Sequence, residues 1–193
     1  MDRKILAAQL RSYEPYNEQE TADREEILRQ LETFPDIYMR ENRNAHMTAS
    51  SWIVNPSRTK VLMVYHNIYD SWSWSGGHAD GDEDLLSVAL REAMEETGIR
   101  RVRPVTDLIY SLEILTVDGH VKRGKYVSSH LHLNITYLLE ADENDMLHKK
   151  DDENSGVAWF GLDEAIRASS EPWFRERIYP KLNARLQYFR QNA

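Results

Sequence analysis

Apolar residues recur at helical spacing in two segments of the chain. In residues 17–34, Asn17 is suited to cap a helix, and the apolar positions are Ile27, Leu28, Leu31 and Phe34. The second segment runs from about Leu85 to Thr97, with Asp84 as a candidate N-cap and Gly98 as a C-terminal stop. Each segment is therefore predicted to be a helix with one buried face.

Other segments are rich in β-branched, aromatic and aliphatic residues, which is typical of strands. Residues 46–54 and 60–66 flank a turn-like Asn55-Pro56-Ser57 and are predicted to form a hairpin. Gly76 and Gly77 predict a turn before the second helix. Further strands are expected at 107–117, 130–139 and 157–160, and helices at 163–168 and over about the last twenty residues, where Pro180 interrupts or restarts the helix. This order favours an α/β fold around one sheet.

Composition narrows the class of protein. A chain of 193 residues fits one domain with a small appendage, and with no cysteine it has no disulfide, thiolate metal site or cysteine nucleophile. A reducing cytoplasm is the simplest location, and no stretch has the length that spans a bilayer, so a soluble cytoplasmic protein is expected. The net charge of −8 argues against general attraction to nucleic acid or to an anionic membrane.

Three glutamates crowd one side of the second predicted helix. At roughly 100° per residue, Glu92, Glu95 and Glu96 fall within about 100° of one another, opposite the apolar face. Like charges at this spacing repel, and a hard cation such as Mg²⁺ or Mn²⁺ would compensate them with oxygen ligands. The alternative is a solvated acidic face, which is common in acidic proteins.

The residues around this helix match a longer pattern. Gly77, Glu83, Arg91-Glu92, Glu95-Glu96 and Gly98, with apolar Ala93 and Ile99, occupy every fixed position of G-x5-E-x7-R-E-U-x-E-E-x-G-U, in which U is apolar. The segment from Gly77 to Ile99 therefore resembles the Nudix box. The resemblance implies a Nudix-type α/β/α sandwich with a mixed β-sheet over residues 45–193, preceded by an N-terminal helical extension over residues 1–44.

The same resemblance implies a role for each matched residue. Glu92, Glu95 and Glu96 are expected to coordinate Mg²⁺ or Mn²⁺, and Gly77 to offer it a backbone carbonyl. Arg91 and Glu83 would form an ion pair that orients this set. A metal that bridges diphosphate oxygens positions phosphorus for attack by water, so the expected reaction is pyrophosphohydrolysis.

A carboxylate must also deprotonate the attacking water. Nudix enzymes differ in where this base lies, so Glu92 and Glu95 in the helix and Glu153 in the later acidic loop Asp151-Asp152-Glu153-Asn154 are all candidates. Glu153 is the preferred one. An exposed acidic turn is its structural alternative.

Substrate-binding candidates lie outside the motif. His132 and Asn134 share a polar face of the predicted strand 130–139, which could line a substrate cleft or be one side of a half-exposed strand. His130 and His132, at i and i+2, also form a pair of zinc-ligand type, but the sequence identifies no third ligand.

Two further groups could contact a nucleotide. Lys122 and Arg123, with Lys125, form a basic loop that could clamp phosphate or remain solvated. Trp74, or its neighbour Trp72, could supply a π-face for a base, although packing is the more common role of tryptophan.

The leading hypothesis is hydrolysis of a nucleoside diphosphate linked to another moiety, a small-molecule phosphoanhydride substrate. A catalytically silent nucleotide-binding regulator would be expected to have an eroded motif, and isopentenyl diphosphate isomerase is expected to need a cysteine. An RNA-end pyrophosphohydrolase is disfavoured, because the sequence has no basic stripe that would help RNA bind. No membrane partner is expected, nucleic acid is disfavoured, and the helix at 17–34 could cap the fold or mediate a homodimer.

Overall fold

A computed structural model describes residues 3–122, 124–150 and 154–191. The helices are α1 Arg3–Ser12, α2 Glu18–Thr33, α3 Leu85–Thr97, α4 Leu162–Ala168 and α5 Tyr179–Gln191, with a π-helical segment Phe174–Ile178 before α5. The strands are β1 Ala45–Val54, β2 Lys60–His66, β3 Ser71–Ser73, β4 Ser75–His78, β5 Val102–Pro104, β6 Ser111–Val117, β7 His120–Lys122, β8 Lys125–Val127, β9 His130–Ala141 and β10 Asn154–Gly161.

The two helices predicted from apolar spacing are confirmed, together with their caps. Asn17 Oδ1 accepts the backbone N–H of Glu20 at 3.0 Å at the start of α2. Asp84 Oδ1 accepts the N–H of Ser87 at 3.3 Å at the start of α3, and Gly98, with φ +73°, ends that helix. These signals lie within one helical turn of the element that they delimit, so the local sequence suffices to place it.

The described strands form one eight-stranded sheet and one two-stranded sheet. Along the main path of the larger sheet the order is β10-β2-β1-β9-β5, while β3 pairs with β2, β4 with β1 and β6 with β9. The predicted hairpin is confirmed, since β1 and β2 are antiparallel with Ile53 opposite Leu62. The predicted α/β class is also confirmed. Among the described helices, none combines the length and apolar character that crossing a membrane requires.

The chain divides into two compact units. The first comprises Met1–Ser50, Gly76–Val88 and Leu108–Tyr137, and the second comprises Ser51–Ser75, Ala89–Asp107 and Leu138–Ala193. In the first unit, the N-terminal segment is tied to the segment around β6, because the Tyr13 hydroxyl donates to the carbonyl of Tyr110 at 3.4 Å. In the second unit, β10 pairs with β2 and Trp52 stacks on Tyr179 of α5 at 5.2 Å between centroids.

The predicted glycine turn at Gly76 and Gly77 is wrong, because both residues lie in β4. A Cβ on Gly76 would lie 2.6 Å from Ser50 Oγ and 2.7 Å from the carbonyl oxygen of Ala49. Gly76 is therefore required by the close approach of two backbones and not by a turn conformation.

Two other local predictions are corrected. From Leu133 to Leu139 both faces of β9 are buried, so the half-exposed strand is wrong for this stretch. The basic loop is a hairpin, in which Lys122 of β7 pairs with Lys125 of β8. Near the C-terminus, α5 follows directly on the π-helical segment Phe174–Ile178, so Pro180 lies inside a continuous helical stretch, immediately after the change from π-helix to α-helix.

Candidate active site

The three glutamates of α3 differ in their exposure to solvent. The side chain of Glu95 is 49% exposed, Glu92 is half-buried, and Glu96 is only 4% exposed. Asn154, the first residue of β10, donates its side-chain amide to Glu96 Oε1 at 3.5 Å. A buried carboxylate needs polar or cationic partners. Glu96 should therefore tolerate fewer substitutions than Glu92 or Glu95.

The opposite side of α3 is fixed by packing and by backbone hydrogen bonds. Ala89 and Ala93 are fully buried, and the Ser51 hydroxyl donates to the carbonyl of Ala89 at 3.0 Å. At the C-terminal end, the Thr97 hydroxyl donates to the carbonyl of Ala93 at 2.5 Å, and the N–H of His148 donates to the carbonyl of Thr97 at 2.8 Å. These contacts hold the helix at a defined rotation, which sets the direction of its glutamates.

The residues on either side of the 151–153 segment lie against the acidic helix. Lys150 Nζ is 3.9 Å from Glu95 Oε2, and Asn154 contacts Glu96 as described above. The N–H of Asn154 also donates to the carbonyl of Lys150 at 2.8 Å, which brings the two ends of the segment together. Glu153 itself lies outside the described residues, so its role stays a prediction.

The donor set on α3 fits a hard divalent cation. All three side chains offer carboxylate oxygens, which Mg²⁺ and Mn²⁺ prefer. Within the described part of the chain, Asn154 Oδ1 is buried and has no hydrogen-bond donor, although the same side chain contacts Glu96. A cation or its bound water would give this oxygen a partner.

The remaining motif residues have defined positions. Gly77 lies in β4, and Arg91 is half-buried on α3. Glu83 precedes α3, and its Oε2 accepts the backbone N–H of Arg3 at 3.0 Å, so a residue near the N-terminus also orients this carboxylate. The predicted metal contact of Gly77 and the predicted ion pair of Arg91 with Glu83 stay predictions.

Asn134 is the centre of a buried hydrogen-bond network in the first unit. Its side chain is 1% exposed; Oδ1 accepts the hydroxyls of Thr48 at 3.0 Å and Ser50 at 2.9 Å, and Nδ2 donates to Glu113 and Thr136, both at 3.1 Å. Both donor hydrogens and both lone pairs of the amide are thus engaged. The network fixes the side chain in place, and its predicted contact with substrate is not tested by this geometry.

His132 lies among three other histidines, His46, His78 and His130. Burial, together with these three neighbours, lowers the pKa of His132 to about 2, so the imidazole is neutral at physiological pH. Burial likewise lowers the pKa of His46. Sequence reasoning identified the His130 and His132 pair but missed His46 and His78, which come from distant segments that only strand pairing brings together.

The other predicted substrate contacts are placed as follows. Trp74 is 7% exposed and packs edge-to-face on Phe174 at 5.5 Å and on Tyr179 at 5.9 Å between ring centroids. The backbone of Lys122 lies in β7, while its side chain and the whole of Arg123 lie outside the described residues. Contacts of these residues with substrate stay predictions.

Comparison with known proteins gives consistent matches. The model of the NUDIX domain matches residues 45–182. Over 97 residues, the chain is 30% identical to bis(5'-nucleosyl)-tetraphosphatase [asymmetrical] from Rattus norvegicus, an alignment that covers 50% of this chain and 59% of that relative. The chain thus spans about three-fifths of the length of such relatives.

Two solved structures share the fold. A C. elegans Ap4A hydrolase binary complex has a TM-score of 0.55 at 19% identity and covers 76% of this chain and 98% of its own. A NUDIX-family hydrolase from Clostridium perfringens has a TM-score of 0.54 at 21% identity and covers 77% of this chain and 99% of its own. At these identities the likeness concerns the fold alone.

Proposed function

Because the chain belongs to the Nudix family, we propose that it is a divalent-metal-dependent hydrolase that cleaves a phosphoanhydride bond. One observation carries the proposal: the spacing of Glu92, Glu95 and Glu96 on α3 places them on one side of the helix, where Glu96 is buried. Three carboxylates at this spacing repel one another, and a divalent cation bound by their oxygens would compensate that repulsion.

Different residues of the chain are assigned to metal binding and to proton transfer. Glu92, Glu95 and Glu96 would hold Mg²⁺ or Mn²⁺ through carboxylate oxygens, and Asn154 orients Glu96 by hydrogen bonding. An ion held there would supply positive charge against the phosphate oxygens and so favour attack of water on phosphorus. A carboxylate accepts the proton of that water. We assign this role to Glu153, because the residues that flank the 151–153 segment contact the acidic helix: Lys150 contacts Glu95, and Asn154 contacts Glu96.

For the substrate we propose a dinucleoside polyphosphate. The support comes from the relatives, of which those from Rattus norvegicus, Mus musculus and Sus scrofa are bis(5'-nucleosyl)-tetraphosphatases, at 28–30% identity. Such a substrate carries several adjacent negative charges, and the chain has a net charge of −8. Metal binding at the glutamates therefore also removes repulsion that would oppose substrate binding.

The activity is tested on a panel of dinucleoside polyphosphates, nucleotide sugars, nucleoside triphosphates and capped RNA. Each compound is incubated with the full chain and Mg²⁺, Mn²⁺ or a chelator, and the products are identified by mass spectrometry. We expect diadenosine tetraphosphate to be cleaved only with metal. If no member of the panel is cleaved with either metal, the hydrolase proposal is refuted; cleavage of a different class refutes the substrate alone.

The assignment of α3 is tested by Glu96→Gln, which keeps the size of the side chain and removes its charge. We expect kcat to fall on the order of 100-fold or more, because a buried metal ligand is lost. Glu25→Gln, at an exposed position of α2, makes the same change of net charge away from α3 and should leave kcat within about twofold. Full activity of folded Glu96→Gln would show that the metal lies elsewhere.

A further inference from the structure

Four histidine side chains converge inside the first unit. His46 comes from β1, His78 from β4, and His130 and His132 from β9. Each offers one ring nitrogen, and these four nitrogens all lie within 4.8 Å of one another. His46 is 3% exposed and the other three are half-buried, so the cluster is largely shielded from bulk water.

Hydrogen bonds orient two of the rings. His46 Nδ1 lies 3.0 Å from the carbonyl oxygen of Asn42, and His130 Nδ1 lies 2.8 Å from the carbonyl oxygen of Ser128. A carbonyl oxygen can only accept, so Nδ1 carries the proton in both rings, and Nε2 of each presents a lone pair. Metal-binding histidines are oriented in this way, with the second ring nitrogen donating to a carbonyl or a carboxylate.

The lone pair of His46 has no donor. Within the described residues, His46 Nε2 is buried and has no hydrogen-bond partner. An unsatisfied buried acceptor is destabilising, so a ligand that bonds Nε2 would stabilise the imidazole in the orientation that Asn42 imposes. A bound cation would supply it.

The spacing of the nitrogens is compatible with one bound ion. His130 Nε2 and His132 Nε2 are 3.2 Å apart. Two nitrogens of a tetrahedral zinc site, with bonds of about 2.0 Å, are separated by roughly 3.3 Å. The remaining separations, up to 4.8 Å, would close by small rotations of half-buried rings.

From this geometry we propose that His46, His78, His130 and His132 form a binding site for a divalent transition-metal ion of the Zn²⁺ class. The site is distinct in chemistry from the glutamates of α3, because imidazole nitrogen suits Zn²⁺, Co²⁺ and Ni²⁺, whereas Mg²⁺ requires oxygen. The nearby charges of Arg40 and Asp80 are paired with each other in a salt bridge. The ion would cross-link β1, β4 and β9.

The proposal is tested with the full chain after treatment with a chelator and gel filtration. Co²⁺ alone is titrated in and followed by its visible absorption, which is intense for four-coordinate ions, and Zn²⁺ is then added in competition. We expect one tightly bound equivalent per chain, displacement of Co²⁺ by Zn²⁺, and a higher Tm with metal. Absence of a four-coordinate Co²⁺ spectrum would overturn the proposal and leave a hydrogen-bonded imidazole cluster.

A matched pair of variants assigns the site. In His130→Gln a ligand is lost, and Co²⁺ binding should weaken on the order of 100-fold or more. His120→Gln is the control, because His120 Nδ1 also bonds the carbonyl two residues earlier, that of Asp118 at 2.9 Å, yet lies outside the cluster. It should bind as the parent does. Equal binding by the two variants would overturn the assignment.

Two further measurements separate the sites and guard against misfolding. Glu96→Gln should keep the Co²⁺ spectrum; its loss there would place the ion at α3 and overturn the proposal. His78→Gln removes a second ligand at a half-buried position, and its folding is checked by circular dichroism. Loss of Co²⁺ binding in either histidine variant with a parental circular dichroism spectrum supports the site, and full binding in a folded His78→Gln contradicts the four-ligand set.

Discussion

Replacing Gly98 by alanine should destabilise the protein for two separable reasons. Gly98 has φ +73°, and a residue with a Cβ loses about 1–2 kcal/mol in that left-handed conformation. The new Cβ would also lie 2.6 Å from both Cβ and the backbone nitrogen of His148, whereas non-bonded carbon atoms prefer about 3.5–4.0 Å. His148 cannot withdraw freely, because its N–H is bonded to the carbonyl of Thr97 at 2.8 Å.

Overpacking of this kind costs about 1–3 kcal/mol, so the free energy of unfolding should fall by about 2–5 kcal/mol in total. For a chain of this size, each kcal/mol lowers Tm by about 2–4 °C, which gives a fall on the order of 4–20 °C. Thermal unfolding followed by circular dichroism, with urea unfolding as a second measure, gives the two quantities.

Gly124→Ala is the control that separates the reasons. Gly124 has φ +75°, but a Cβ there meets nothing within 4 Å. It should therefore lose only the conformational part, about 1–2 kcal/mol. If Gly98→Ala loses no more unfolding free energy than Gly124→Ala, the close contact with His148 does not restrict Gly98, and the reasoning is refuted.

Three further changes have expected outcomes. Asn134→Leu should lower the free energy of unfolding by at least about 3 kcal/mol in urea titrations, since it removes the acceptor of the buried Thr48 and Ser50 hydroxyls and one donor to the Glu113 carboxylate; a loss under 1 kcal/mol would contradict the network. Trp74→Leu should lower it by about 3 kcal/mol through lost packing, with KM for diadenosine tetraphosphate unchanged; a fivefold rise in KM would instead favour stacking on substrate. Burial raises the pKa of the Glu171 carboxyl above 4.5, so the folded state favours its protonated form and stability is lost as pH rises. Glu171→Gln should therefore raise Tm at pH 8 relative to the parent and not at pH 4; the same difference at both pH values would exclude this cause.

Several parts of the fold follow from short stretches of sequence. The caps at Asn17, Asp84 and Gly98 were predictable, because each acts through atoms within a few residues of itself. The helix α1 was not predicted. Its apolar residues Leu6, Ala7 and Leu10 are buried, but the segment is short and has no strong cap in the sequence.

The glycines illustrate where local reasoning fails. The sequence predicts a turn at Gly76, since paired glycines usually favour turns. Its position depends on the carbonyl of Ala49 and on Ser50, which approach it only because β4 pairs with β1. A residue type can thus be constrained by a strand that is distant in sequence.

For the candidate sites, the sequence alone determined the spacing of Glu92, Glu95 and Glu96, because helical geometry converts three nearby positions into one face. Only the tertiary structure decided that Glu96 is buried beside Asn154, and that His46 and His78 join the histidines of β9. Strand order in a sheet depends on which distant segments pair, and burial depends on what those segments then cover; neither is encoded in the spacing of neighbouring residues.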